Sequence, residues 1–168
     1  MVQRPAVYAL ALGSNRALSA SLTPRRLIDA AALAIAGLGR VIACSPTLST
    51  PPLGPSARRF ANAALLLESA LPPDRLLVRL QQIERSLGRR RHRRWGARSM
   101  DIDIILWSGG RWRSRALTIP HLVFRQRDFV LRPILTIAAD WRDPATGLTI
   151  RQLESRLKKA RPKPPARG

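Results

Sequence analysis

The stretch SMDIDIILW, residues 99–107, decides how the rest of the chain is read. Met100, Ile102, Ile104 and Leu106 alternate with Asp101 and Asp103. A strand sends successive side chains to opposite faces, so this order predicts a strand over 99–107 with the four apolar residues on a core-facing side. Asp101 and Asp103 then share the other face, with Cα atoms about 6.4 to 6.8 Å apart. The chain holds only 10 acidic residues against 30 basic ones and carries a formal charge of +20. Two carboxylates set into an apolar run are therefore not needed for solubility.

The flanking sequence supplies the partners of this strand. Ala6 to Leu12 is a short apolar run that meets Gly13-Ser14-Asn15, consistent with a buried strand closed by a turn. Thr23 as N-cap and Pro24 at the first helical position open a helix with Leu27, Ile28, Ala31 and Leu38 on one face, ended by Gly37 and Gly39. A second strand is expected over 40–50, a turn at Pro51-Pro52-Leu53-Gly54-Pro55, and a third strand around 62–68. Pro72, Pro73 and Asp74 begin a helix that carries Leu76, Leu77, Leu80, Ile83 and Leu87 to Gly88. The order strand, helix, strand, strand, helix, strand predicts an α+β fold, a ferredoxin-like βαββαβ sandwich with extra C-terminal short elements. Short helices are expected near 128–138 and 149–157. One domain over 1–157 and a basic, proline-rich disordered tail over 158–168 complete the expected organisation.

Paired carboxylates repel each other and raise one another's pKa, a difficulty that a divalent cation removes. Hard oxygen donors favour Mg²⁺, which keeps several waters and binds substrate phosphates, and two such ions fit carboxylates at this spacing. The plain alternative is a solvated strand face. Arg85, Arg89, Arg90, Arg91, Arg93, Arg94 and Arg98, with His92, lie just ahead of the pair. Alone they suit a solvated loop or an RNA-binding patch. Together with carboxylates, which would repel a nucleic-acid backbone, they suit metal-bound phosphate gripped by guanidinium forks.

Composition narrows the field without choosing a ligand. Of the 30 basic residues 27 are arginine, which fits either a polyanionic partner or biased genomic composition. Cys44 is the sole cysteine, so an intrachain disulfide is impossible; it reads as a packing residue in a reducing compartment. The N-terminal apolar run is short for an export signal, and no run approaches the ~20 residues that cross a bilayer.

A resemblance adds to this reading. Gly13-Ser14-Asn15, Thr50-Pro51-Pro52-Leu53-Gly54, Asn62-Ala63-Ala64, Ile83-Glu84, Gly88-Arg89-Arg90-Arg91, Arg94-Trp95-Gly96-Ala97-Arg98, Asp101-Ile102-Asp103-Ile104, Pro120-His121 and Arg127-Asp128-Phe129-Val130-Leu131 follow one another along the chain. In that order they resemble the 6-hydroxymethyl-7,8-dihydropterin pyrophosphokinase family, from about residue 7 to 157. The resemblance implies transfer of the terminal pyrophosphoryl group of ATP to the hydroxymethyl oxygen of the pterin, releasing AMP, in folate synthesis. It implies that Asp101 and Asp103 hold two Mg²⁺ ions, and that Arg89, Arg91, Arg94, Arg98, His121 and Arg127 line or close over the triphosphate. Gln81, Glu84, Trp95, Ile104 and Thr118 would meet the nucleotide; Thr50, Pro51, Leu53 and Asn62 would meet the pterin edge; Phe60 and Phe129 would stack on its faces. A cytoplasmic monomer that binds ATP and a pterin, and neither nucleic acid nor membrane, follows from the same likeness. Closure of residues 88–98 over the nucleotide is expected as well, since ordered, water-excluding sites around ATP use mobile lids.

Each piece has an ordinary reading as well. By spacing alone Phe60 and Phe129 are core residues, Asn62 caps a strand end, His121 is a loop histidine and Trp95 pins its loop. The sequence also departs from the family at Ala97, where proline is usual, at Phe60 and Leu48, and over 108–116. A ferredoxin-like RNA-binding module and a relative acting on another alcohol remain as alternatives. Against the former, the chain has three phenylalanines and one tyrosine, and they are not grouped.

Overall fold

In the computed structural model, residues 4–51, 59–88 and 99–160 are described. They form β1 (Ala6–Ser14), α1 (Pro24–Ile35), β2 (Arg40–Cys44), β3 (Leu48–Thr50), β4 (Phe60–Ser69), α2 (Pro73–Ser86), β5 (Asp101–Trp107), β6 (Trp112–Arg113), β7 (Thr118–Ile119), α3 (Asp128–Ala138) and α4 (Ile150–Ala160), with 3₁₀ turns at Ala36–Leu38 and Phe124–Gln126. The fold mixes helices with an antiparallel sheet of order β2-β4-β1-β5, in which β3 also pairs with β4. β6 and β7 form a separate two-stranded ribbon.

The helix signals act as expected. Thr23 caps α1 by accepting a hydrogen bond from the Arg26 amide, and Pro24 occupies its first turn. Leu27, Ile28, Ala31 and Ile35 of α1 and Leu76 and Leu80 of α2 cover one sheet face, against Leu10, Leu12, Leu65, Leu67, Met100, Ile102 and Ile104. Gly88, at φ +82°, ends the α2 region in the left-handed conformation that glycine tolerates.

Three expectations need correction. The strand expected over 40–50 is two strands, because Pro46 has no N–H to give to a ladder. Ser45 carries the pairing into the break: its amide donates to the Ala64 carbonyl at 2.9 Å, and its hydroxyl accepts from the Ala64 amide at 2.8 Å. Cys44 is exposed rather than packed, since β2 is the edge strand. Leu106 does not share the core of Met100, Ile102 and Ile104. The register steps from Leu10↔Ile104 to Ala9↔Leu106, which leaves Ile105 as the extra residue of a bulge and turns Ile105 and Leu106 to the opposite sheet face.

That second face is covered too. Val130, Leu131 and Ile134 of α3, Ile150 and Leu153 of α4, and Phe124 pack there on Ala9, Ala64, Leu66, Ile105 and Leu106. The helices expected near 128–138 and 149–157 are thus one layer of the fold, and α4 continues to Ala160. Asp101 pairs in register with Gly13 and Asp103 with Ala11, which places both carboxylates beside this layer. No described helix is long and apolar enough to cross a membrane.

Gly39 sits where β2 begins, and a Cβ added there would lie 2.1 Å from the Glu68 carbonyl oxygen. Gly39→Ala should lower unfolding stability by about 1–3 kcal/mol in urea titration. Gly37→Ala, with open space around its Cβ, should stay within about 0.5 kcal/mol of the parent.

Candidate active site

Where α3 begins, the covering layer stops short of the end of the sheet, and a cavity of about 80 Å³ opens. Gly13 and Ser14 of β1, Phe60 and Asn62 of β4, Asp101 and Asp103 of β5, and Arg127, Phe129 and Val130 line it. Asn62 is buried, and its side-chain amide donates to the Thr50 hydroxyl at 2.7 Å. That bond fixes the amide nitrogen toward β3. The Asn62 Oδ1 atom lies 3.3 Å from where a Cβ on Gly13 would stand, so the glycine keeps room for the oxygen. The cavity therefore offers two aromatic rings and one directed amide, a lining suited to a flat polar heterocycle.

A second, open cleft of about 520 Å³ lies on the other side of Asp103 and Arg127, which line both spaces. Ile104, Thr118, His121, Leu77 and Arg115 contribute to it. The His121 amide donates to the Ile105 carbonyl at 3.0 Å, which holds this histidine against β5. Its Nε2 is 4.0 Å from Asp103 Oδ2. Burial lowers the His121 pKa below its ordinary 6.5, the Arg127 charge lowers it further, and Asp101 opposes the shift.

The structure thus brings together Phe60, Asn62, Phe129, Asp101, Asp103 and Arg127 around one cavity, and Asp103, Ile104, Thr118, His121 and Arg127 around the adjoining cleft. Thr50 takes part through Asn62, while Pro51 is exposed just after β3. Gln81 is exposed on α2. Glu84 is buried and accepts a hydrogen bond at 2.8 Å from the Ile102 amide, the peptide group between the two aspartates. Leu53, Arg89, Arg91, Arg94, Trp95 and Arg98 lie outside the described residues, as does the expected lid apart from Gly88.

Ser14, expected in a turn, is the last residue of β1, and Arg115 carries no sequence signal for the site. Ser14 is buried and donates its hydroxyl to the Ser99 carbonyl, tying β1 to the residues just before β5. Arg115 lies in the 108–116 region that departs from the family, and it reaches the cleft because the β6–β7 ribbon folds back. Ser114 fastens that turn by donating to Asp74 at 2.7 Å and accepting from the Leu117 amide at 3.1 Å. No periodicity announces such a placement.

A family model described as 7,8-dihydro-6-hydroxymethylpterin-pyrophosphokinase (HPPK) matches residues 9–139. The chain belongs to this family. Among HPPK relatives, it is 42% identical over 147 residues to the 2-amino-4-hydroxy-6-hydroxymethyldihydropteridine pyrophosphokinase of Pseudomonas aeruginosa, covering 86% of each chain. It is 39% identical over 134 residues to that of Haemophilus influenzae, covering 78% of this chain and 81% of the relative. The Synechocystis enzyme is 39% identical over 119 residues, a match that spans 71% of this chain and 60% of that protein's length. An HPPK-DHPS crystallised with substrates has a similar fold at a TM-score of 0.72 and 13% identity, over 94% of this chain. The Plasmodium falciparum HPPK-DHPS with SDX-DHP gives 0.70 and 14%, over 91%. This chain spans 44% of each of those two longer chains.

The proximity of Arg127 to His121 has a measurable consequence. The His121 imidazole should titrate below 6.5 by NMR, and Arg127→Ala should raise its midpoint by removing a like charge.

Proposed function

We propose that this chain transfers the terminal pyrophosphoryl group of ATP to the hydroxymethyl group of 6-hydroxymethyl-7,8-dihydropterin, releasing AMP, in folate biosynthesis. The observation that carries this reading is that Asp103 and Arg127 line both the small aromatic cavity and the larger cleft. A pterin in the first and a triphosphate in the second would meet across these two side chains. The family match supports this activity over the RNA-binding and other-alcohol alternatives.

In this reading Phe60 and Phe129 stack on the pterin ring and Asn62 hydrogen-bonds its edge, with Thr50, Pro51 and Leu53 alongside. Gln81, Glu84, Trp95, Ile104 and Thr118 belong to the nucleotide side. Asp101 and Asp103 fit Mg²⁺, since both are hard oxygen donors, partly exposed, on one face of β5 beside the cleft. They would hold two ions. What Mg²⁺ supplies when bound is neutralisation of charge on the phosphates. Arg127 and His121 stand beside the same carboxylates, and with Arg89, Arg91, Arg94 and Arg98 they orient the triphosphate and balance the charge that develops on it. The hydroxymethyl oxygen would form a bond to the β-phosphorus as the bond from that phosphorus to the oxygen bridging to the α-phosphate breaks; AMP leaves with the bridging oxygen, and the hydroxyl proton passes to solvent. This transfer passes through a loose transition state, so alignment and charge compensation by these side chains dominate over a strong base.

The ferredoxin-like βαββαβ description belongs to the same proposal and is supported by the antiparallel order β2-β4-β1-β5 with α1 and α2 on one face. We further infer one catalytic domain over 1–157, a tail over the remaining residues with its first three in α4, closure of residues 88–98 over ATP, and a cytoplasmic monomer with small-molecule partners.

Incubation with Mg²⁺, ATP and the reduced hydroxymethylpterin should give AMP and a diphosphorylated pterin; pterin-dependent ADP alone would exclude the reaction. Asp101→Ala and Asp103→Ala should each lower turnover at least about a hundredfold with the circular dichroism spectrum retained. Full activity in both would remove the metal assignment.

A further inference from the structure

We propose that Arg125 and Asp143, which line neither cavity among the described residues, are positioning residues for Arg127. This inference rests on the functional reading above only in taking the Arg127 side of the cleft as the triphosphate side. Asp143 has no exposed surface. Its carboxylate accepts from Arg125 Nε at 2.7 Å and Nη2 at 2.8 Å, from the Thr146 hydroxyl at 2.6 Å and from the Ala145 amide at 3.0 Å. The loop that presents it is closed by the Asp143 amide on the Leu148 carbonyl at 2.9 Å and by the Gly147 amide on the Asp143 carbonyl at 2.8 Å. Asp143 is thus a rigid socket, and the fork of Arg125 fills it in one orientation.

Arg125 lies in the 3₁₀ turn Phe124–Gln126, which separates His121 from Arg127. Its guanidinium also covers the ring of the fully buried Phe124 at 4.7 Å. The turn passes the constraint on. The Phe124 amide donates to the His121 carbonyl at 3.3 Å and the Arg127 amide to the Phe124 carbonyl at 3.1 Å. Arg127, two residues beyond Arg125, then extends over the Phe129 ring at 5.8 Å and into the wall shared by cavity and cleft. Asp143 is buried and the Arg125 side chain 28% exposed, and an ion pair so placed contributes little net stability beyond what an apolar pair of the same volume would. What the bidentate fork supplies and an apolar pair does not is a single direction for the turn, and hence for Arg127.

The test is a double-mutant cycle read in equilibrium binding of α,β-methylene-ATP with Mg²⁺, which needs no turnover. Arg125→Lys keeps the charge and loses the fork, and should weaken binding about tenfold in the parent chain but less than twofold in an Arg127→Ala background. Asp143→Asn should show the same pattern, and it serves in place of Arg125→Lys should that variant fail to fold. Equal losses in both backgrounds, or parent-like binding in both variants, would overturn the assignment. So would the absence of analogue binding by the parent chain. AMP formation by the parent chain judges the reaction separately, because a chain that binds the analogue without transferring pyrophosphate still completes the cycle.

Discussion

The alternation of Asp101-Ile102-Asp103-Ile104 along β5 is the constraint on which the site depends. Ile102 and Ile104 are buried under the α1 and α2 layer. Burying side chains of this size contributes about 1.5–3 kcal/mol each, so the strand cannot rotate or slip without losing that contribution. The carboxylates are therefore kept on the opposite face by the demands of the core. The bulge at Ile105 confines this arrangement to one end of the strand: beyond it, Ile105 and Leu106 enter the second core and close the face.

β5 is also an edge strand, and two of its outer backbone groups are taken up by residues of the site. Glu84 receives the Ile102 amide, and the Ile105 carbonyl receives the His121 amide. An edge that would otherwise invite another strand becomes the rail along which α2 and the segment after β7 are placed. Two backbone groups of β5 are satisfied in this way, and the second bond holds His121 beside Asp103, with Nε2 at 4.0 Å from Oδ2.

The basic charge of the chain divides into different tasks when seen in three dimensions. Arg40 pairs with Glu68 at 2.9 Å at the sheet edge, Arg125 is committed to Asp143, and Arg127 and Arg115 face the cleft. A count of arginines treats these alike. Their neighbours make one a surface partner, one an internal strut and two candidates for anion contact.

Much of the architecture was legible in local chemistry: Thr23 and Pro24 announce α1, Pro73 announces α2, Gly88 marks where α2 gives way, and period-two alternation reveals the shared face of Asp101 and Asp103. These signals are local because capping, turn geometry and strand pleating act within a few residues. The break at Pro46, the exposure of Cys44 and the change of face at Leu106 depended on which strand lies at the edge and how two strands register. The joining of Phe60, Asn62 and Phe129 with the aspartates, the placement of Arg115, and the Arg125–Asp143 pair depended on contacts between residues far apart in the chain. Sequence alone determined α1, α2, the apolar centres of β1, β4 and β5, and the shared face of Asp101 and Asp103. Only the tertiary structure decided which polar side chains meet, because burial demands are blind to partner identity until the layers are stacked.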